Sequence, residues 1–115
     1  MIMGLRQDRV ADQIRDALAL LFSADEISDP RLYGITITAV KVTPDLQLAS
    51  VFYRVLDNSE MAKEQASRGF ESCSGFLRKR LGKSLELRRV PVLRFFFDES
   101  LERGVNIERL LGDLD

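Results

Sequence analysis

Histidine and tryptophan are absent from this chain, cysteine occurs once and proline three times. Each shortage closes off a class of function. Without histidine there is no Ser–His or Cys–His nucleophile, and the commonest general base of enzymes is missing. One cysteine and no histidine cannot supply the usual zinc sites, which draw four ligands mainly from those two residue types. Cys73 has no partner for an internal disulfide. No apolar run approaches the roughly 20 residues that a membrane span requires. The start of the chain, Met1 to Gln13, turns charged before any stretch of signal-peptide length, so no secretory leader is expected and a cytoplasmic address is the default. No metal, cofactor or small-molecule substrate is expected, and a non-enzymatic role is favoured.

What is present is a globular composition, with 45% apolar and 30% charged residues in 115. That length suits one domain, residues 1–115, ending in a short tail from about residue 101 to 115. The net charge is −1, yet it is unevenly spread. Gly75 to Arg94 holds seven basic residues (Arg78, Lys79, Arg80, Lys83, Arg88, Arg89, Arg94) against the single acid Glu86, a local +6, so the rest of the chain sums to −7. A concentrated positive region on an acidic protein recruits a polyanion, and nucleic acid is the commonest one.

Hydrophobic periodicity sets the element order. Val10, Ile14, Leu18 and Leu21 recur at helical spacing and predict a helix from Arg6 to Phe22. Pro30 bars helix at Asp29, so Asp25 to Gly34 is a connection. Ile35 to Thr43 is β-branched and predicts a strand, with a slip in alternation between Ile37 and Val40 that marks a bulge. Thr43-Pro44-Asp45 is a turn. Leu46 to Leu56 is a second strand with Ala49, Val51, Tyr53 and Val55 on one face, making a hairpin with the first. Asp57-Asn58-Ser59 caps a further helix whose stripe is Ala62, Ala66, Gly69, Phe70 and Cys73, resuming with Phe76, Leu77 and Leu81 beyond a break expected near Ser74-Gly75. Val92 to Phe97 is a third strand, and Asn106 would cap a last helix from Ile107 to Leu111. The order α-β-β-α-(kink)-α-β predicts an α+β fold, a three-stranded sheet with its helices packed on one face.

Several motifs tempt and fail. Gly82-Lys83-Ser84 resembles the end of a P-loop, but Leu77 stands where that motif needs glycine, so a glycine helix stop is the better reading. Asp98 and Glu99 beside Ser100 mark a turn in preference to a catalytic carboxylate pair. Asp25, Glu26 and Asp29 lack the alternation of a calcium loop. Cys73 lies on the apolar stripe as a small buried residue. Phe95 and Phe97 share the core parity of the third strand, which leaves Phe96 as the one candidate for stacking on a base.

The basic segment can be placed on a helical wheel. With Leu77 at the core centre, Arg78 lies at about 100°, Lys79 at about 200° and Lys83 at about 240°, all toward solvent, whereas Arg80 lies about 60° from the core and runs along its rim. Arg88 and Arg89 follow on the connection to the third strand. A purely solubilising helix face mixes both signs, as the first helix does; this run does not. Gly75 beside it lets a backbone approach closely.

The element order is that of a type II KH domain, in which a GXXG loop between two helices clamps nucleic-acid backbone. Here Ser72-Cys73-Ser74-Gly75-Phe76-Leu77-Arg78 occupies that place. Arg6 with Arg9-Val10-Ala11, Asp29-Pro30-Arg31-Leu32, Asp45-Leu46 with Ala49 and Val51, Leu81-Gly82-Lys83, Leu87-Arg88, Val90-Pro91 and Phe95-Phe96 with Asp98 and Ser100-Leu101 complete the pattern. In order and spacing, along nearly the whole chain, it resembles the ribosome-binding factor A family, a KH-like fold in which an Ala-x-Gly kink replaces the GXXG loop. Cys73 stands where that kink has alanine, and the extended charged tail of some members is lacking. The resemblance implies a factor that binds the free small (30S) ribosomal subunit and its rRNA as a monomer. It further implies help in late maturation of 16S rRNA, including its 5′ end, support of growth in the cold, and no cutting of RNA. The expected RNA-binding residues are Ser74, Gly75, Arg78, Lys79, Lys83, Arg88 and Arg89, with Arg6, Arg9 and Arg31 at the N-terminal edge. Two readings compete: a module whose basic face binds an acidic protein, and, more remotely, an RNA-modifying enzyme using Asp98 or Glu99.

Overall fold

The computed structural model describes residues 6–24, 26–85 and 87–100. Helix α1 (Arg6–Ser23) leads into a 3-10 turn (Pro30–Leu32), the hairpin β1 (Ile35–Val42) and β2 (Leu48–Val55), helix α2 (Glu60–Leu85) and strand β3 (Val92–Phe97). The sheet order is β1-β2-β3: β1 pairs antiparallel with β2, and β3 pairs parallel with it after the α2 crossover. The expected final helix from Ile107 to Leu111 and its cap Asn106 lie outside the described residues.

Strand alternation decides which face is covered. Ala49, Val51, Tyr53 and Val55 on β2 and Leu93 on β3 are buried against Val10, Ile14 and Leu18 of α1 and Phe70, Leu77 and Leu81 of α2. Phe70 is the hub of this layer. Its ring stacks on Phe95 at 4.3 Å between centroids, and it meets Tyr53 at 4.6 Å and Phe22 at 5.8 Å. The predicted bulge is present, as the register shifts between Ile37 and Ala39. The bulge leaves Thr38 out of the pairing, and its hydroxyl donates to Asp98 at 2.5 Å. The hairpin turn closes through the Leu46 N–H to Thr43 carbonyl bond at 2.8 Å, with Leu46 in the left-handed region at φ 62°.

Two connections are fixed by side chains the sequence pairs closely. Asp29 caps the 3-10 turn by accepting the Arg31 N–H at 2.9 Å, and Arg31 returns a two-pronged bond to the same carboxylate, closing to 2.6 Å. Leu32, thus presented, lies over Gly69 of α2, where a Cβ would sit 2.9 Å from Leu32 Cδ2. Ser59 caps α2, accepting from the Ala62 N–H at 3.1 Å, as the sequence indicates.

Three expectations for α2 need correction. The break near Ser74-Gly75 is absent: one helix of 26 residues runs through both. Ala66, Phe70, Cys73, Leu77 and Leu81 step by four, three, four and four, so the apolar stripe keeps phase and nothing forces the ladder apart. Phe76 is therefore off the stripe, 100° from Leu77, and is 44% exposed. Gly82 is no helix stop; the helix continues to Leu85, and Gly82 instead makes room for Val90, whose Cγ2 would lie 3.2 Å from an added Cβ. Among the described residues there are accordingly two long helices where three were expected.

Candidate nucleic-acid interface

The outward side of the C-terminal half of α2 is the candidate site. Gly75, Lys79 and Lys83 are four residues apart, so they climb one strip of the helix at about 6 Å per step, and all three are exposed. Arg78 flanks the strip on the β3 side. Its guanidinium donates to the Val90 carbonyl at 3.0 Å. Together with the Gly82–Val90 contact this bond holds the end of the connection after α2 against the helix, and Arg88 and Arg89, just before Val90, are exposed there.

Ion pairing sorts the cations. Arg80, on the rim as the wheel predicts, bonds Glu26 at 2.9 Å and lies over the Phe76 ring. Arg68 pairs with Glu64, Lys63 with Glu60 and Arg15 with Asp16. Among the described residues no ion pair engages Lys79, Lys83, Arg88 or Arg89. Positive charge left uncompensated on one face is a site for an anion, whereas the paired cations are absorbed by the fold.

The remaining predicted residues divide. Phe22 meets Phe70 while Gln13 and Asp16 share a hollow with Ser84 and Leu85, so α1 and α2 run antiparallel. Arg6 and Arg9, both exposed, thus lie toward the end of α2 that carries Lys83. Arg31 does not join them. It sits near Gly69, 14 residues before Lys83 along α2, with its charge spent on Asp29, which it holds well below the usual carboxylate range at about 2. Ser74 is half-buried and its hydroxyl donates to the Glu71 carbonyl at 3.3 Å, a bond within the helix. Cys73 is half-buried, and burial pushes its thiol up, away from thiolate reactivity. Asp98 is occupied by Thr38 and by the Ser100 N–H at 2.9 Å, and the Thr38 bond keeps it below the usual carboxylate range, as a turn residue.

Gly75 is the residue that the fold does not explain. It lies within a regular helix, where glycine costs about 1 kcal/mol relative to alanine. Beyond its own turn of helix, nothing among the described residues comes within 4 Å of the position its Cβ would take, and its φ is not in the left-handed region. Gly69 and Gly82 make room for neighbours; Gly75 has no such neighbour among the described residues. Beside it, exposed Phe76 forms one wall of a 430 Å³ hollow shared with Cys73 and residues Glu26 to Asp29. Sequence reasoning missed this hollow because it placed Phe76 in the core.

A family model described as ribosome-binding factor A matches residues 6–111. The chain belongs to the ribosome-binding factor A family. Among its relatives, ribosome-binding factor A of Nitrosomonas eutropha is 45% identical over 91% of this chain and 88% of the relative. That of Syntrophobacter fumaroxidans is 46% identical over 95% and 93%. The crystal structure of ribosome-binding factor A from Thermus thermophilus superposes with a TM-score of 0.71 at 28% identity, over 82% of this chain and 97% of that one. A model of the Thermus thermophilus factor fitted into a cryo-EM map of a complex with 30S matches with a TM-score of 0.64, also at 28% identity, over 77% and 91%. The architecture is the α+β, KH-like fold of these ribosome-binding factor A structures. No helix among the described residues is long and apolar enough to cross a membrane, and no group of His, Cys, Asp or Glu among them could hold a metal ion.

Proposed function

We propose that this ribosome-binding factor A family member is an RNA-binding assembly factor of the free small ribosomal subunit. It acts as a cytoplasmic monomer and cuts no RNA. The observation that carries the reading is the strip of Gly75, Lys79 and Lys83, extended by Arg88 and Arg89, where unpaired cations follow a glycine open to solvent. The arrangement suits a phosphodiester backbone: glycine admits it close to the helix, and the cations that follow it along the strip neutralise successive phosphates. Arg78 serves both by its own charge and by fixing the connection that carries Arg88 and Arg89. Arg6 and Arg9 extend the field, and Ser74 shapes the helix behind Gly75. Arg31 is assigned to the fold.

The mechanism is mass action. Binding one conformation of immature 16S rRNA more tightly than its alternatives shifts the population toward it. Such a shift would present the 5′ end for late processing by other enzymes, and it matters most in the cold, where wrong RNA pairings persist. Family membership supports this reading, as does the 30S complex of the Thermus thermophilus factor. Reversal of Lys79→Glu and Lys83→Glu together is expected to weaken binding to free small subunits at fixed salt, with circular dichroism and thermal midpoint unchanged. Wild-type binding by the double variant would move the site elsewhere.

A further inference from the structure

The helices cover one face of the sheet; on the other, the carboxylates Asp98 and Glu99 and Ser100 line a hollow with Ala39, Lys41 and Phe52 just past the end of β3, and among the described residues no helix or strand covers that face. That open face is not an ordinary solvated surface. The three strands contain no acidic residue and three basic ones, Lys41, Arg54 and Arg94, all on the open side by strand parity. Lys41 and Arg94 are exposed, and neither has an ion-pair partner among the described residues. Register places Lys41, Ser50 and Arg94 in one row across the sheet and Ala39, Phe52 and Phe96 in the next. The Phe52 and Phe96 rings lie 5.6 Å apart at 31°, Phe96 is 44% exposed, and the Lys41 ammonium is 5.9 Å from the Phe52 centroid.

We infer that this face is a second RNA-binding surface, one that takes a short single-stranded segment with its bases stacked on Phe52 and Phe96 and its phosphates on Lys41 and Arg94. The rows are two residues apart, about 7 Å along the strands, so each ring has a cation one side-chain length away. Flat aromatic area beside cations held in no ion pair matches the two faces of a nucleotide, ring and phosphate, with the phosphates lying toward Arg94 and away from the Asp98 and Glu99 carboxylates at the β3 end. An acidic protein would satisfy the cations but gives no reason for a tilted aromatic pair at the surface; a neutral apolar partner would leave Lys41 and Arg94 uncompensated. The surface differs from the α2 strip, which has cations and a glycine but no paired rings, and which suits backbone without reading bases. The inference rests on the reading that the partner is RNA.

The test uses the full chain, a fluorescein-labelled unstructured RNA decamer and purified free small subunits. Variants Phe52→Leu and Phe96→Leu keep apolar area and remove the ring faces. Each is expected to weaken decamer binding roughly 5- to 150-fold, the range for losing one stacked base. Arg94→Ala is expected to reduce the salt slope for the decamer by about 0.7. Ultraviolet cross-linking should place the decamer on the peptides holding Phe52 and Phe96. Wild-type affinity in both leucine variants would overturn the inference, as would a wild-type protein that binds subunits but not the decamer; in both cases the proposed function stands. Ring variants that keep the decamer but lose RNase-treated subunit protein, or that change only self-association, would make the face a protein contact and likewise overturn it. A wild-type protein that binds neither RNA nor subunits would remove both proposals together.

Discussion

Replacing Gly75 by alanine should move stability and binding in opposite directions. In the free protein the change is a gain. Gly75 stands 15 residues into a helix of 26, where alanine is favoured over glycine by about 1 kcal/mol. Beyond the helix's own turn no atom of the described residues lies within 4 Å of the new methyl, so no overpacking term opposes the gain. For 115 residues the unfolding entropy is about 0.24 kcal/mol per kelvin, so the thermal midpoint should rise by about 4 °C. In the complex the same methyl occupies the space proposed for a phosphodiester backbone. Forcing a methyl into a close-packed contact costs about 1–3 kcal/mol, and binding to free small subunits should fall roughly 5- to 150-fold. Differential scanning calorimetry measures the first effect, and sedimentation with free subunits at fixed salt the second. A stabilised variant that binds as wild type would refute the close-approach argument. A destabilised variant would refute the regular helix at Gly75.

Gly69→Ala makes the contrast, since its methyl would lie 2.9 Å from buried Leu32; overpacking outweighs the helix gain, and urea denaturation should show a loss of up to about 2 kcal/mol. Increased stability there would mean that Leu32 yields freely. Phe70→Ala removes the ring that joins Phe95, Tyr53 and Phe22 at 1% exposure, and should cost about 3–5 kcal/mol in the same assay; a loss below about 1 kcal/mol would contradict its place as hub. The Asp29 carboxyl is lowered from 3.8 to about 2, chiefly by its Arg31 hydrogen bonds, so its contribution is complete above 3.8 and disappears as pH falls through about 2. Asp29→Asn should therefore flatten the acid limb of the stability–pH curve between those values, and a limb superposable on wild type would dissociate the pair from folding.

Local pattern carried most of the fold. Alternation in Ala49, Val51, Tyr53 and Val55 and helical spacing in Val10, Ile14 and Leu18 each point to one face, and the structure buries those residues. The break at Gly75 and the stop at Gly82 were misread for a single reason. Glycine weakens a helix by about 1 kcal/mol, which an unbroken stripe from Ala66 to Leu81, buried against the sheet, outweighs. Of the site, Lys79 and Lys83 were legible because a helical wheel alone turns them outward. Arg31 was not, since its engagement by Asp29 depends on the 3-10 turn that Pro30 starts. Arg78 was half legible: its direction follows from the wheel, but its bond to Val90 spans 12 residues. Phe96 showed its outward parity in sequence, whereas its pairing with Phe52 depends on the parallel register set by the crossover.

The sorting of cations into paired and unpaired has a consequence in salt. Were binding a matter of net charge, a chain at −1 would be repelled by RNA, and added salt would strengthen the complex by screening that repulsion. If the unpaired face governs, each phosphate it meets releases counterions and salt must weaken binding. Lys79, Lys83, Arg88 and Arg89 together give a slope of log K against log salt of about −3.6 on duplex RNA, treated as B-DNA, or roughly a 100-fold loss between 50 and 200 mM. Removing Arg80 or Arg68, whose charges are held by Glu26 and Glu64, should leave that slope unchanged, while removing Lys79 or Lys83 should lower its magnitude by about 0.9 each. A slope equally sensitive to all four would mean that total positive charge governs binding, and that the pairing within the fold does not select which cations meet RNA.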